Sequence, residues 1–195
     1  MHAPRFPIIP SQLLKRYQVE DVGDTRFRAC ARLLQSMWRE DQRLPVGSHQ
    51  QTNDYDRCLG SRIDRASGSF GRNFLTTKIA RLAKYETVYR EPGALIEEER
   101  LWHNLLSSQP LCFNLFGDMN LDLSMATRFW SSLFPDHMAK VESIYFEHSP
   151  GRGDEAFIAD HTAFDVLIAG QNRKGQSSFI AIEVKYSEAM NEPAA

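Results

Sequence analysis

The sequence predicts a mixed α/β (α+β-like) protein, helical in its N-terminal half and built on a three-stranded meander in its C-terminal half. Two observations carry this. Up to about residue 134 apolar side chains recur three and four positions apart, the period of an amphipathic helix. Beyond it they alternate, or cluster in short β-branched runs bounded by Gly, Pro and Asn. At 195 residues, 42% of them hydrophobic, the chain is long enough to bury a core. The reading divides it into a helical region over residues 1–90 and a second region over 91–195.

Residues 1–23, broken by Pro4, Pro7 and Pro10, read as an irregular lead-in. Asp24-Thr25 can cap a helix to about Asp41, with Phe27, Cys30, Leu33, Leu34 and Trp38 on one face. Residues 47–71 are polar, with Gly60 and a Ser67-Gly68-Ser69 cluster, and read as loop with weak helical content. A second helix over about Arg72–Lys84 carries Lys78, Arg81 and Lys84 three apart, a pattern suited to a solvated face or to phosphates. A third is expected over Ala94–Ser107, ended by Pro110. Its apolar stripe (Leu95, Leu101, Trp102, Leu105, Leu106) centres on Glu98, and a carboxylate facing a core is costly unless it is hydrogen-bonded or holds a metal. Residues 111–117 read as a connector and Ser124–Phe134 as a helix stopped by Pro135. Strands follow at Val141–Glu147, Ala163–Ala169 and Phe179–Tyr186.

Composition excludes several classes. No apolar run approaches the roughly 18 residues that a membrane helix needs, so no membrane role is expected. The Pro-broken start does not form the apolar region of a signal peptide. Cys30, Cys58 and Cys112 are odd in number and scattered, which fits a reducing cytoplasm. They and the six histidines lack zinc-ligand spacing. No phosphate-binding glycine loop, dinucleotide fingerprint or nucleophile elbow occurs. A net charge of −2 gives no global argument for nucleic acid.

Chemistry concentrates in the last two strands. Alternation puts Asp165 on one face of its strand, and Glu183 with Lys185 on one face of the next. If those strands pair, an Asp–Glu–Lys cluster forms on an otherwise apolar sheet. Two carboxylates can hold Mg²⁺, and Mn²⁺ as a substitute, while a lysine orients water or offsets charge on a phosphate. The alternative is a Glu–Lys pair on the solvated face of an ordinary sheet, which contributes little. His148 and His161 lie near this cluster in sequence, and Arg152 sits in a Gly-flanked loop from which it can reach a phosphate.

Thr162-Ala163-Phe164-Asp165-Val166 followed by Phe179-Ile180-Ala181-Ile182-Glu183-Val184-Lys185-Tyr186 resembles the Asp…Glu-X-Lys signature of the PD-(D/E)XK nuclease superfamily. Residues 105–117 and Phe146-Glu147-His148-Ser149-Pro150-Gly151-Arg152 look like its bacterial, restriction-endonuclease-like branch. The resemblance covers about residues 90–190 and implies a restriction-endonuclease-like meander with flanking helices. It implies Asp165 and Glu183 as metal ligands and Lys185 as catalytic lysine; Phe164 stands where the signature carries Pro. The helical acid is Glu98 by periodicity, with Glu147 as rival. DNA is the implied substrate, His148 and Arg152 are candidate contacts to it, and a homodimer is one arrangement compatible with cutting both strands. Only nine residues follow Tyr186, so the second core helix and further strand of the superfamily are expected to be missing. A Mg²⁺-dependent endonuclease is therefore expected; the alternative is an inactive nuclease-like scaffold that binds nucleic acid or a partner protein.

Overall fold

The structure is a computed structural model that describes residues 6–50, 56–156 and 162–187. The chain separates into two compact units. The first comprises residues 1–73, 99–110 and 185–195, the second 74–98 and 111–184. The expected boundary near residue 90 thus falls inside a segment that clusters with the C-terminal strands.

In the first unit a short helix α1 (Ser11–Arg16) precedes α2 (Arg26–Asp41). Thr25 caps α2 as expected, its Oγ1 accepting from Arg28 N at 3.2 Å. Residues 47–71 depart from the expected loop. The departure is an antiparallel pair, β1 (Val46–Gln50) and β2 (Asp56–Ile63); the short helix α3 (Arg65–Ser69) agrees with the weak helical content expected there. Long-range hydrogen bonds from α2 hold β2 in place of an apolar alternation. Buried Arg39 donates to the Gly60 and Leu44 carbonyls, and Arg32 donates to Ser61 Oγ while gripping Asp24. Leu44, Ile63 and Leu105 form this unit's small apolar core, with Trp38 packed on it.

The second unit carries the sheet. Helix α4 (Thr77–Val88) begins five residues later than expected because Thr76 caps it, Oγ1 accepting from Ile79 N. Ile79, Ala80, Leu82 and Ala83 are buried. Helix α5 (Glu98–His103), nearly all of it in the first unit, is a fragment of the expected helix, and α6 (Ser108–Leu121), mostly in the second, runs through the expected connector. Pro110 does not stop α6, since it sits in the first turn, where no backbone N–H is needed. Asp122 caps α7 (Leu123–Leu133), accepting from Ser124 N and Met125 N at 3.0 Å.

The meander comprises β3 (Lys140–His148), β4 (Phe164–Gln171) and β5 (Ser177–Ile182), antiparallel in the order β3-β4-β5. An irregularity between Val141 and Ser143 resets the pleat, so Val141, Ile144 and Phe146 are all buried. Phe113 of α6 stacks on Phe146 at 4.3 Å, and Asn120 Nδ2 donates to the Ile144 carbonyl at 2.7 Å. The β4–β5 turn is fixed by Asn172, whose Oδ1 accepts from Lys174 N and Gln176 N. Strand β5 starts and ends earlier than expected, so Glu183 and Lys185 lie just past it. The expected shortfall after Tyr186 concerns mainly residues 188–195, and these, like His161, lie outside the described residues.

Burial pushes the Glu86 carboxyl of α4 upward. A carboxyl raised in the folded state binds protons that the unfolded chain has released, so stability falls as pH rises above the ordinary glutamate value of 4.5. Glu86→Gln is expected to raise the melting temperature at neutral pH and to flatten that decline, as thermal melts across pH will read.

Candidate metal and phosphate site

Strand register brings Asp165 and Glu183 together. They are the residues immediately outward from the Val166–Ile182 pair of β4 and β5. One Asp165 carboxylate oxygen accepts from the Val184 backbone N at 2.6 Å, which fastens the segment carrying Glu183 to the end of β4. On the other side, β3 pairs Phe146 with Val166 and His148 with Phe164, so Glu147 occupies the interval that Asp165 fills. Asp165 and Glu147 are half-buried; Glu183 is exposed.

Beneath these acids lies Cys112 of α6, 5% exposed, its thiol donating to the Asp165 carbonyl at 3.5 Å. Burial pushes the thiol well up, and the charges of Asp165, Glu147 and Glu183 push it further. One buried thiol thus feels all three carboxylates, and it stays protonated and unreactive. Cys112 serves as a small core residue.

Glu147 has φ +51°, the left-handed region that side-chain-bearing residues seldom adopt. Such strain persists where surrounding contacts over-determine it. Arg152 supplies them: its guanidinium donates to the Glu147 carbonyl at 3.3 Å and to the Gly93 carbonyl at 2.8 Å. With its side chain 8% exposed, Arg152 is no surface cation for DNA, which corrects the expectation from its loop. His148 pairs through Nδ1 with Glu91 Oε1, and its ring stacks on Tyr145. Sequence reasoning missed Glu91, the acid that binds both residues. Arg152→Ala should leave two backbone carbonyls without donors, at a cost of about 1–3 kcal/mol measurable by denaturant unfolding.

Glu98 is corrected too. Helix α5 begins at Glu98, not at Ala94, so the stripe centred on it does not form. Its side chain is 65% exposed and lies 3.9 Å from Arg90. Lys185 is exposed and stands where the chain passes from the sheet unit back to the first unit. Its association with the acids rests on its spacing from Glu183.

Among the described residues no three His, Cys, Asp or Glu side chains are placed to hold a metal ion together. The donor set nevertheless fits Mg²⁺, a hard ion that one or two carboxylates hold while water and substrate phosphate complete its shell. No helix among the described residues is long and apolar enough to cross a membrane.

A family model of the PD-(D/E)XK nuclease superfamily matches residues 22–195. No curated protein and no solved structure matches the chain.

Proposed function

We propose a nuclease function on this premise: the chain belongs to the PD-(D/E)XK nuclease superfamily. The substrate is DNA, and the reaction is Mg²⁺-dependent hydrolysis of a phosphodiester bond within the strand. The single observation that carries the proposal is Asp165 and Glu183 meeting at the end of the β4–β5 ladder, tied by the Asp165–Val184 hydrogen bond.

When bound, Mg²⁺ would polarise the phosphate and lower the pKa of a water. Asp165 and Glu183 are the residues that would hold it. Asp165 is oriented by the Val184 N–H, so its carboxylate enters the site with its rotamer set before the ion arrives. Glu183 is exposed and so reachable by a phosphate that completes the shell. Lys185, two residues on from Glu183, would orient the attacking water and offset the negative charge that develops on the phosphate oxygens. Glu147 takes the place of the helical acid. Its charge helps raise the same buried thiol as the other two, and its strained backbone is clamped by Arg152. Glu98 has no part in this scheme. The cytoplasm is the compartment proposed, and pairing of two copies the way both strands are cut.

The test is relaxation of supercoiled plasmid by the purified chain with Mg²⁺ or Mn²⁺, with and without EDTA. Metal-dependent nicking supports the proposal. DNA binding that weakens steeply with salt, without nicking, supports instead a scaffold that binds nucleic acid and does not cut it.

A further inference from the structure

Helix α4 carries a face that this chemistry does not use. Its buried arc is Ile79, Ala80, Leu82 and Ala83. The opposite arc consists of Lys78, Arg81, Lys84, Tyr85, Val88 and Tyr89, all exposed. Tyr85 is 58% and Tyr89 70% exposed, and their rings lie 4.6 Å apart between centroids, tilted by 40°. The two tyrosines are four residues apart, so successive turns stack one ring over the other. Three cations stand N-terminal to them at three-residue spacing. The only acid in the helix, Glu86, is half-buried off this face.

Cations without an intervening acid suit a polyanion. Two aromatic faces left in water suit planar partners. A duplex offers phosphates but keeps its base faces stacked. A lipid surface calls for a broad aliphatic arc, and Val88 is the only aliphatic residue here. A protein partner would more commonly bury an apolar centre and leave cations at the rim. A strand with unpaired bases satisfies both halves at once, its bases on Tyr85 and Tyr89 and its phosphates on Lys78, Arg81 and Lys84. We infer that this face of α4 is a binding platform for single-stranded nucleic acid. The inference deepens the nuclease reading and rests on it for its setting, since it gives an unpaired stretch of substrate a place outside the acid cluster.

The test is fluorescence anisotropy with a fluorescein-labelled oligothymidine and with a duplex of the same length, in EDTA so that nothing is cut. The parent should bind the single strand more tightly than the duplex. Tyr85→Ala/Tyr89→Ala should lose roughly tenfold or more in single-strand affinity, whereas Tyr85→Phe/Tyr89→Phe keeps it. Lys78→Gln/Arg81→Gln/Lys84→Gln should reduce the slope of log affinity against log salt by about 2. Undiminished single-strand binding by the alanine pair overturns the inference. So does tyrosine-dependent binding to phosphatidylserine vesicles with no preference for single strands. The readouts are separable: tyrosine-dependent binding without plasmid nicking leaves the platform standing and the nuclease reading fallen, and nicking with unchanged binding by the alanine pair does the reverse.

Discussion

Asp165→Asn is expected to lower Mg²⁺-dependent plasmid cleavage by roughly two orders of magnitude or more, the scale set by losing one preorganised charge at a reacting phosphate, while leaving the fold intact. The reason lies in the double use of this side chain. One carboxylate oxygen accepts from Val184 N, and the charge is what would hold the metal. Asparagine keeps a carbonyl oxygen for Val184 and removes the charge. Asp165→Ala removes both, so it should lose the same activity and in addition about 1–3 kcal/mol of stability, the cost of orphaning a half-buried donor. Thermal melts with added Mg²⁺ give a second readout. A ligand that binds only the native state raises the melting temperature, so the parent should shift and both variants should not. Equal cleavage by Asp165→Asn and the parent would remove Asp165 from the site.

Gly170→Ala is expected to be the most damaging change to the sheet. A β-carbon there would sit 2.0 Å from the Lys140 carbonyl oxygen and 2.8 Å from Met138 Sδ. Lys140 belongs to the neighbouring strand, whose Val141 pairs with Gly170, so a backbone would have to move and not merely a side chain. The expected loss is about 3 kcal/mol or more, a fall of roughly 10 °C in melting temperature for a chain of this size. Gly175→Ala is the matched control. It adopts φ +72° in the β4–β5 turn, and no atom lies within 4 Å of its would-be β-carbon. It should cost only about 1 kcal/mol, the conformational penalty alone. Urea unfolding of both variants reads the difference.

The meander was legible because its strands are written in local code. Ile144 and Phe146 alternate with Tyr145 and Glu147, and β4 and β5 are Val-, Ile- and Phe-rich runs closed by an Asn-to-Gly turn. Helix α2, with its Thr25 cap, was legible for the same reason. The β1–β2 pair was not. Its stability comes from arginines far away in sequence, Arg32 and Arg39, donating into residues whose own composition looks like loop. Pro110 misled because a proline is excluded from a helix interior and welcome in its first turn, and sequence alone does not say which turn it occupies. The stripe around Glu98 failed on helix length: α5 spans only Glu98–His103, so Leu95, Leu105 and Leu106 lie outside it.

The candidate site shows the same division. Asp165 and Glu183 were readable from strand alternation, and the register joins them even though β5 stops one residue before Glu183. Glu147 appeared in the sequence only as a rival, because its distinguishing property is a backbone angle. Arg152 and His148 looked like phosphate contacts because loop cations usually face water. Glu91 turns both inward, and a pairing 57 residues apart leaves no local trace.

The central claim is that this chain hydrolyses phosphodiester bonds through Asp165, Glu183 and Lys185. Its most direct test is nicking of supercoiled plasmid in Mg²⁺ or Mn²⁺ by the parent and by Lys185→Ala. The exposed lysine can be truncated without opening a cavity, so lost activity will report chemistry and not folding. Nicking by the parent that requires metal and disappears in Lys185→Ala is the result predicted. Metal-dependent nicking that Lys185→Ala leaves unchanged would contradict the account.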